Sequence, residues 1–254
     1  MNTAIAIERC RSFIDCHLQT KNRPPVATHP LQQEPAITIS RQTGSGAFVV
    51  GEKLAACLQA KDSTATCPWT VMDHQLAEKV LDEHNLPKKF AQFMPEEKLS
   101  FVEDMMEEVL GLHPSSWTLA RKTMETILHL AQMGHVILVG WGANLITAKM
   151  PNVFHVRLVG TLEKRIEHLQ KAYDFSARDA AEFVKKTDRG RVRYIKQHFN
   201  CDVDDPLAYH MVVNTSRMSF DDTARVIADA ALRHFEAYAA SFQQEGTVSL
   251  TGGK

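Results

Sequence analysis

The stretch "AITISRQTGSGAFVV", residues 36–50, decides how the rest of the chain is read. "AITIS" is a short apolar run suited to a buried strand, and "TGSG" is a turn of small residues. "FVVGEKLAACLQA" then spaces its apolar side chains for a helix. Strand, glycine turn and helix in that order make the frame of a phosphate-binding loop, in which main-chain N–H groups converge on an anion at a helix N-terminus. The full pattern GxxxxGK[ST] adds a lysine for the β/γ-phosphates and a hydroxyl for Mg²⁺. Residues 41–48 read R-Q-T-G-S-G-A-F, so Arg41 stands at the first glycine, and Ala47 and Phe48 stand at the Lys and Ser/Thr positions. Gly44, Ser45 and Gly46 can make the turn, and Thr43 and Ser45 can donate hydroxyls. The same residues serve equally as a tight strand–helix turn with no ligand. Of the two nearby cations, Lys53 lies about two helical turns into the helix, which leaves Arg41 as the candidate for the missing charge.

Outward from this loop the pattern repeats. "WTVMD" predicts a second strand ending at Asp73, and residues 74–133 are mostly helical in pattern, closing with the amphipathic "SWTLARKTMETILHLAQMG" at Gly134. "HVILVG" and "NVFHVRLVG" follow as strands, and "TLEKRIEHLQKAY" and "SARDAAEFVKKTDRGRVRYIKQHF" as helices. "YHMVVNTS" is the last strand and "SFDDTARVIADAALRHFEAYAASF" the closing helix. Short apolar strands alternating with helices imply a parallel sheet covered on both faces, with a ligand crevice at the carboxyl ends of the strands.

A chain of 254 residues suits one sizeable domain with smaller insertions. Residues 1–34 are expected to form an amphipathic helix and a proline-rich linker. Residues 35–240 form the main domain, and 241–254 a mobile tail. The N-terminal helix is expected to pack on the body or on a second subunit, the latter giving a homodimer. The net charge of −1 argues against a chain built for indiscriminate nucleic-acid or membrane binding. No apolar run approaches the roughly 20 residues that span a bilayer. The five cysteines form no CxxC pair, and the expectation is five reduced thiols in a cytoplasmic protein. The histidines are scattered, none forms HExxH, and no metal-ligating set is expected.

One charged segment stands out. "KKTDRGRVRYIK" places six cations within residues 185–196, and at four-residue spacing 185, 189 and 193 share a helix face. Such a row can neutralise phosphates. It can also be a solvated helix face paired with Asp188.

The order of "ITISRQTGSGAFVVGEKLAACL", "VILVGWGANLI", "NVFHVRLVG" and "DRGRVRYIKQHFNCDVDDPLAYHMVVNTSRMS" resembles the cytidylate-kinase-like family. The family's own opening motif, SRxxGSGG, also lacks the lysine. The resemblance covers residues 36 to about 232 and implies an α/β P-loop-type parallel sheet flanked by helices. It adds a helical NMP-binding insertion (about 74–133) and a basic lid segment (about 176–206). It further implies phosphoryl transfer from ATP, with Mg²⁺, to a nucleotide substrate such as CMP. Arg41, Arg189 and Arg193 would then be catalytic, and Thr43, Gly44, Ser45, Gly46, Asp73 and Asp205 nucleotide-binding. Asp205, with Asp202 and Asp204, can orient a sugar hydroxyl, hold the lid by ion pairs, or simply belong to a loop. Asp73 can equally be a helix cap. Where the family has Gly-Arg-Gly, this chain has Gly140-Trp141-Gly142, which removes a bidentate phosphate contact. The alternative is a pseudokinase-like protein that binds nucleotide or a partner without turnover.

Overall fold

The computed structural model describes residues 3–20, 33–62, 65, 67–73, 118–140 and 142–249. The proline-rich linker, most of the expected acceptor-side insertion and Trp141 lie outside the described residues.

Five strands, β1 (Ala36–Arg41), β2 (Thr70–Asp73), β3 (Val136–Val139), β4 (Val153–Val159) and β5 (Met211–Asn214), form one all-parallel sheet in the order β2-β3-β1-β4-β5. Helices α1 (Thr3–Thr20), α2 (Ala47–Lys61), α3 (Thr118–Met133), α4 (Ala143–Ile146), α5 (Leu162–Tyr173), α6 (Ala177–Phe199) and α7 (Phe220–Ser249) complete the described elements. β1 is the central strand. The chain leaves it for β2 and β3 on one side, then crosses to β4 and β5 on the other. The strand order therefore reverses at β1, and the crevice beyond its carboxyl end is where such sheets bind ligands.

The strands are apolar on both faces because helices cover both, yet successive side chains still alternate. Ile37, Ile39, Ile137, Val139, Phe154, Val156 and Leu158 pack under α2 and α7. Ala36, Val136, Leu138 and Val153 pack with α1, α3 and α4. α2 and α7 run side by side in the same direction. Lys53 meets Asp221 at 2.6 Å and Lys61 meets Asp229, both steps being eight residues along each helix. The distance of Lys53 from the loop, expected from its helical position, is thus accompanied by a partner of its own.

Local chemistry sets the helix ends. Thr161 caps α5 by accepting from the Lys164 amide, and Ser176 caps α6 by accepting from the Asp179 amide. Asp174 and Asn200 end these helices in the left-handed conformation. α7 extends to Ser249, so residues 241–249 of the expected mobile tail continue the closing helix. "QQE" is made of good helix formers and no proline interrupts it.

The thiol expectation is corrected. Cys16 and Cys67, 51 residues apart, form a disulfide that fastens α1 to the segment before β2, while Cys10, Cys57 and Cys201 are free. Spacing rules find only local cysteine pairs; this one exists because α1 folds back over the sheet. The helix packs on the body, burying Cys10, Phe13 and Ile14 in the same core as α3. Full burial of a side chain such as Phe13 contributes roughly 1.5–3 kcal/mol. The Cys10 thiol is pushed up to about 12, first by burial and then by the charges of Asp73 and Glu52, so it is chemically quiet.

Several of the scattered histidines converge. His155 on β4 is 5.0 Å from His210, centroid to centroid, and His210 is 4.8 Å from His234 on α7. His155 Nδ1 pairs with Thr38 Oγ1 at 2.9 Å, and its backbone N–H donates to His210 Nδ1. Burial, then the neighbouring His210 and His234, hold the His155 imidazole down to about 3. Its folded value lies below the ordinary one near 6.5, so its neutral form contributes full stability above that pH. The contribution is lost as pH falls from about 6.5 towards 3, because the unfolded chain takes up the proton first. Chemical denaturation is expected to show a loss of about 2 kcal/mol between pH 7.5 and pH 5 from this residue. The loss should shrink in His155→Gln; an equal loss in that variant would assign the pH dependence elsewhere.

Candidate phosphate-binding site

The site is built from the turn after β1 outward. Gly44 and Gly46 both adopt left-handed backbone, at φ 82° and 80°. At Gly44 a side chain has no room, since a Cβ would lie 2.4 Å from the Arg165 carbonyl oxygen. Within the turn, Ser45 Oγ donates to the Gln42 carbonyl at 2.8 Å, so this hydroxyl stabilises the loop's shape. Gln42 holds the loop to the next crossover by accepting from the Gly160 amide at 3.0 Å. Gly46 is the buried N-cap of α2 and supplies no side-chain cap; a Cβ there would lie 2.4 Å from the Phe220 ring, which packs against it.

Thr43 faces α6. Its amide and its hydroxyl both donate to Asp188 Oδ1, at 2.8 and 2.6 Å. Arg165 on α5 completes the enclosure. Its Nη1 donates to Asp188 Oδ2 at 2.6 Å and to the Thr43 carbonyl at 3.0 Å, while its Nε donates to the Gly160 carbonyl. Arg191, one turn beyond Asp188 on α6, reaches Thr43 Oγ1 and lies 3.2 Å from Asp188 Oδ1.

Arg41 lies at the end of β1, over the end of β3. Gly140 makes the space for it, because any Cβ there would come within 1.8 Å of Arg41 Nη1. Burial first, and then Arg191, bring the Arg41 guanidinium down to about 10, against the pull of Asp73 and Asp188 in the other direction. It remains a cation at neutral pH. Burial also lowers Arg191, which feels Arg157 and Arg165 as well as Asp188. Arg157 is only 4 % exposed on β4. It donates to Ser40 Oγ at 2.9 Å, pairs with Asp204, and sits 5.6 Å from the Tyr209 ring centre. Four guanidiniums thus gather at the carboxyl end of the central strands, a density of charge suited to a polyanion.

The sequence-derived candidates divide accordingly. Thr43, Gly44, Ser45, Gly46 and Arg41 lie together at the loop, and Asp73 stands at the end of β2 within charge range of Arg41. Arg189 and Arg193 are exposed on α6. Each is two residues from Arg191, about 200° around the helix from it. Asp205 caps the short 3₁₀ turn of Pro206–Ala208 by accepting from the Leu207 amide, and it is its neighbour Asp204 that meets an arginine. The residues that sequence reasoning passed over are Arg157 and Arg165, together with Arg191, which it counted but did not single out; Asp188 it named as a partner for the basic helix face, not for the loop. A signal for them existed. The buried stripe of α6 is Ala180, Val184 and Ile195, and its period passes through Asp188 and Arg191. Arg165 likewise adjoins Ile166 and Leu169 on the inward side of α5, and Arg157, with His155, interrupts an apolar strand.

Among the described residues no group of three or more His, Cys, Asp or Glu side chains is arranged to hold a metal ion. Phe48 takes the place of the metal-binding hydroxyl of the full motif. The Thr43 amide and hydroxyl at the loop are engaged by an oxyanion of the chain itself, the Asp188 carboxylate.

A parallel sheet that reverses at β1, flanked by helices and with a glycine turn at the point of reversal, is an α/β P-loop-type fold. Residues 36–217 match the Cytidylate kinase-like family, well over half of the chain, and the chain belongs to that family. Among solved structures it is similar to an uncharacterised protein from Eubacterium ventriosum ATCC 27560. The identity is 18 % and the TM-score 0.52, over 78 % of this chain and 98 % of that one. A shikimate kinase from Bacteroides thetaiotaomicron matches at 12 % identity and TM-score 0.38, over 77 % and 97 % of the two chains. A gluconokinase from Sinorhizobium meliloti 1021 matches at 12 % and 0.38, over 84 % and 98 %. No curated protein matches the chain. No helix among the described residues is long and apolar enough to cross a membrane.

Proposed function

We propose that the protein transfers the γ-phosphoryl group of Mg·ATP to a nucleoside monophosphate, CMP or a close relative. The observation that carries this reading is the oxyanion seat at the loop, made by the Thr43 amide and hydroxyl with Arg165 and Arg191. In phosphoryl transfer the protein does little covalent chemistry; it positions the groups and neutralises charge as it spreads over the phosphoryl oxygens. Mg·ATP enters as a substrate, its metal screening the phosphates. Main-chain amides of the turn, other than the Ser45 N–H that donates to the Gln42 carbonyl, would hold the phosphates, and Arg41 would supply the positive charge that the motif's lysine gives elsewhere. Arg165 and Arg191 would orient the transferring group, and Asp73 would meet the acceptor. Arg189 and Arg193, exposed on the same helix, would contribute as lid residues on closure of α6 over bound nucleotide.

A second reading is favoured by one specific observation: Phe48 and Ala47 replace the metal hydroxyl and the lysine. It has the fold bind nucleotide without turnover. One donor aimed at developing charge is worth about 2.7–4 kcal/mol, so losing two would slow the reaction severely. A coupled ADP-release assay with Mg·ATP against CMP, UMP, dCMP, AMP and GMP separates the two. Turnover on a pyrimidine monophosphate supports the kinase, ATP binding with none on any acceptor supports the second reading, and the absence of both rejects each.

A further inference from the structure

We infer that Asp188 is a built-in occupant of the phosphate seat, so that a polyphosphate binds by displacing this carboxylate and α6 with it. The inference rests on reading the loop as a phosphate cradle, and it goes beyond that reading by naming what holds the cradle closed.

The carboxylate accepts from four donors. Oδ1 takes the Thr43 amide at 2.8 Å, the Thr43 hydroxyl at 2.6 Å and Arg191 Nη1 at 3.2 Å, and Oδ2 takes Arg165 Nη1 at 2.6 Å. A backbone amide, a hydroxyl and two guanidiniums around two oxygens is the donor set that a phosphoryl group would use. Arg178 and Glu182 on this helix pair along it. Asp188 instead reaches across 145 residues of sequence to the glycine turn. It is 27 % exposed on its side chain, so the seat opens to solvent at one edge and a competing anion has an approach.

The two oxyanions cannot share the seat. A phosphate oxygen brought to the Thr43 amide would lie beside the carboxylate, and two like charges at such a distance repel strongly. Displacement follows, and because Asp188 is carried by α6, the segment bearing Arg189, Arg191 and Arg193 must readjust when the seat changes hands. The carboxylate is thereby both a brake on empty-site binding and the coupling between the loop and the basic helix.

The two ends of the ion pair then have opposite effects, which a merely structural salt bridge would not produce. Full-length protein is titrated calorimetrically with pyrophosphate and with Mg·ATP. Asp188→Asn keeps the shape but removes the charge and is expected to bind pyrophosphate at least tenfold more tightly than the unmodified chain. Arg165→Ala is expected to bind it at least tenfold more weakly. Equal or weaker binding by Asp188→Asn overturns the inference, as does failure of both this variant and the unmodified chain to bind pyrophosphate. Should Asp188→Asn fail to fold, Asp188→Ser takes its place under the same criterion. The unmodified chain gives a second measurement: on saturation with pyrophosphate the ¹⁵N resonance of Thr43 must move and α6 must change its hydrogen exchange. An unmoved Thr43 amide overturns the inference. Turnover is not the readout. A chain whose seat is released in Asp188→Asn but which phosphorylates no acceptor keeps this inference and loses the kinase reading.

Discussion

Arg165→Ala is expected to lower turnover on the best acceptor by about 10²–10³, the usual cost of removing one preorganised donor aimed at developing charge. The guanidinium does three things at once. It pairs with Asp188, fixes the direction of the loop by donating to the Thr43 carbonyl, and fixes the following crossover by donating to the Gly160 carbonyl. Its loss leaves the Thr43 carbonyl with one fewer donor and the Asp188 carboxylate one counter-ion short. Breaking a buried pair costs about 3–5 kcal/mol, and the partial exposure of Asp188 places this one near or below the lower end of that range. Arg165→Lys separates the two contributions. A point charge on a flexible stem restores part of the stability but cannot reach all three partners, so activity should stay low. The ADP-release assay and a thermal melt on the same samples check this. Near-normal turnover in Arg165→Ala would remove the arginine from the chemistry altogether.

The second large effect concerns stability. Reduction of Cys16–Cys67 is expected to lower the unfolding free energy by about 2–4 kcal/mol, since the bond closes a long loop and limits the unfolded ensemble. The loss should appear as a shift of the denaturation midpoint on adding a thiol reductant. It should be absent in the Cys16→Ser/Cys67→Ser double variant, which starts from the lower stability. Alkylation in denaturant should label three cysteines before reduction, Cys10, Cys57 and Cys201, and five after it. Five labelled at the outset would show the bond absent. Disulfides persist chiefly in oxidising compartments, so the same labelling on protein taken directly from cells bears on the cytoplasmic placement expected from cysteine spacing. Loss of the bond would first loosen α1, whose Phe13 and Ile14 cover one face of the sheet.

The parts of the site that were legible in the sequence are those encoded locally. Residues 36–61 announce a strand, a glycine turn and a helix through period and punctuation alone, and the structure has β1, the turn and α2 there. α5 and α6 could be delimited because Thr161 and Ser176 carry their capping chemistry within three residues. Side-chain direction on α6 was the harder problem. Four-residue spacing picks out Lys185, Arg189 and Arg193, but an equally good four-and-three spacing picks out Val184, Asp188, Arg191 and Ile195. Only the second includes the apolar side chains that must be buried. Counting charges picks out the first, which is exposed, and asking which face packs picks out the second, which carries Asp188 and Arg191.

By itself, then, the chain's order of residues determined the alternation of strands and helices, the glycine turn after β1 and membership of a kinase-like family. These follow from contacts between residues a few positions apart. Tertiary structure alone decided that Thr43 meets Asp188, that Arg165 and Arg191 reach the turn while Arg157 reaches Ser40, and that Cys16 bonds Cys67. Such pairs are 51 to 148 residues apart or depend on which helix face is covered. A local period can mark which face of a helix is buried but not which distant residue it meets; that is decided when the sheet assembles and brings the ends of distant elements to one crevice.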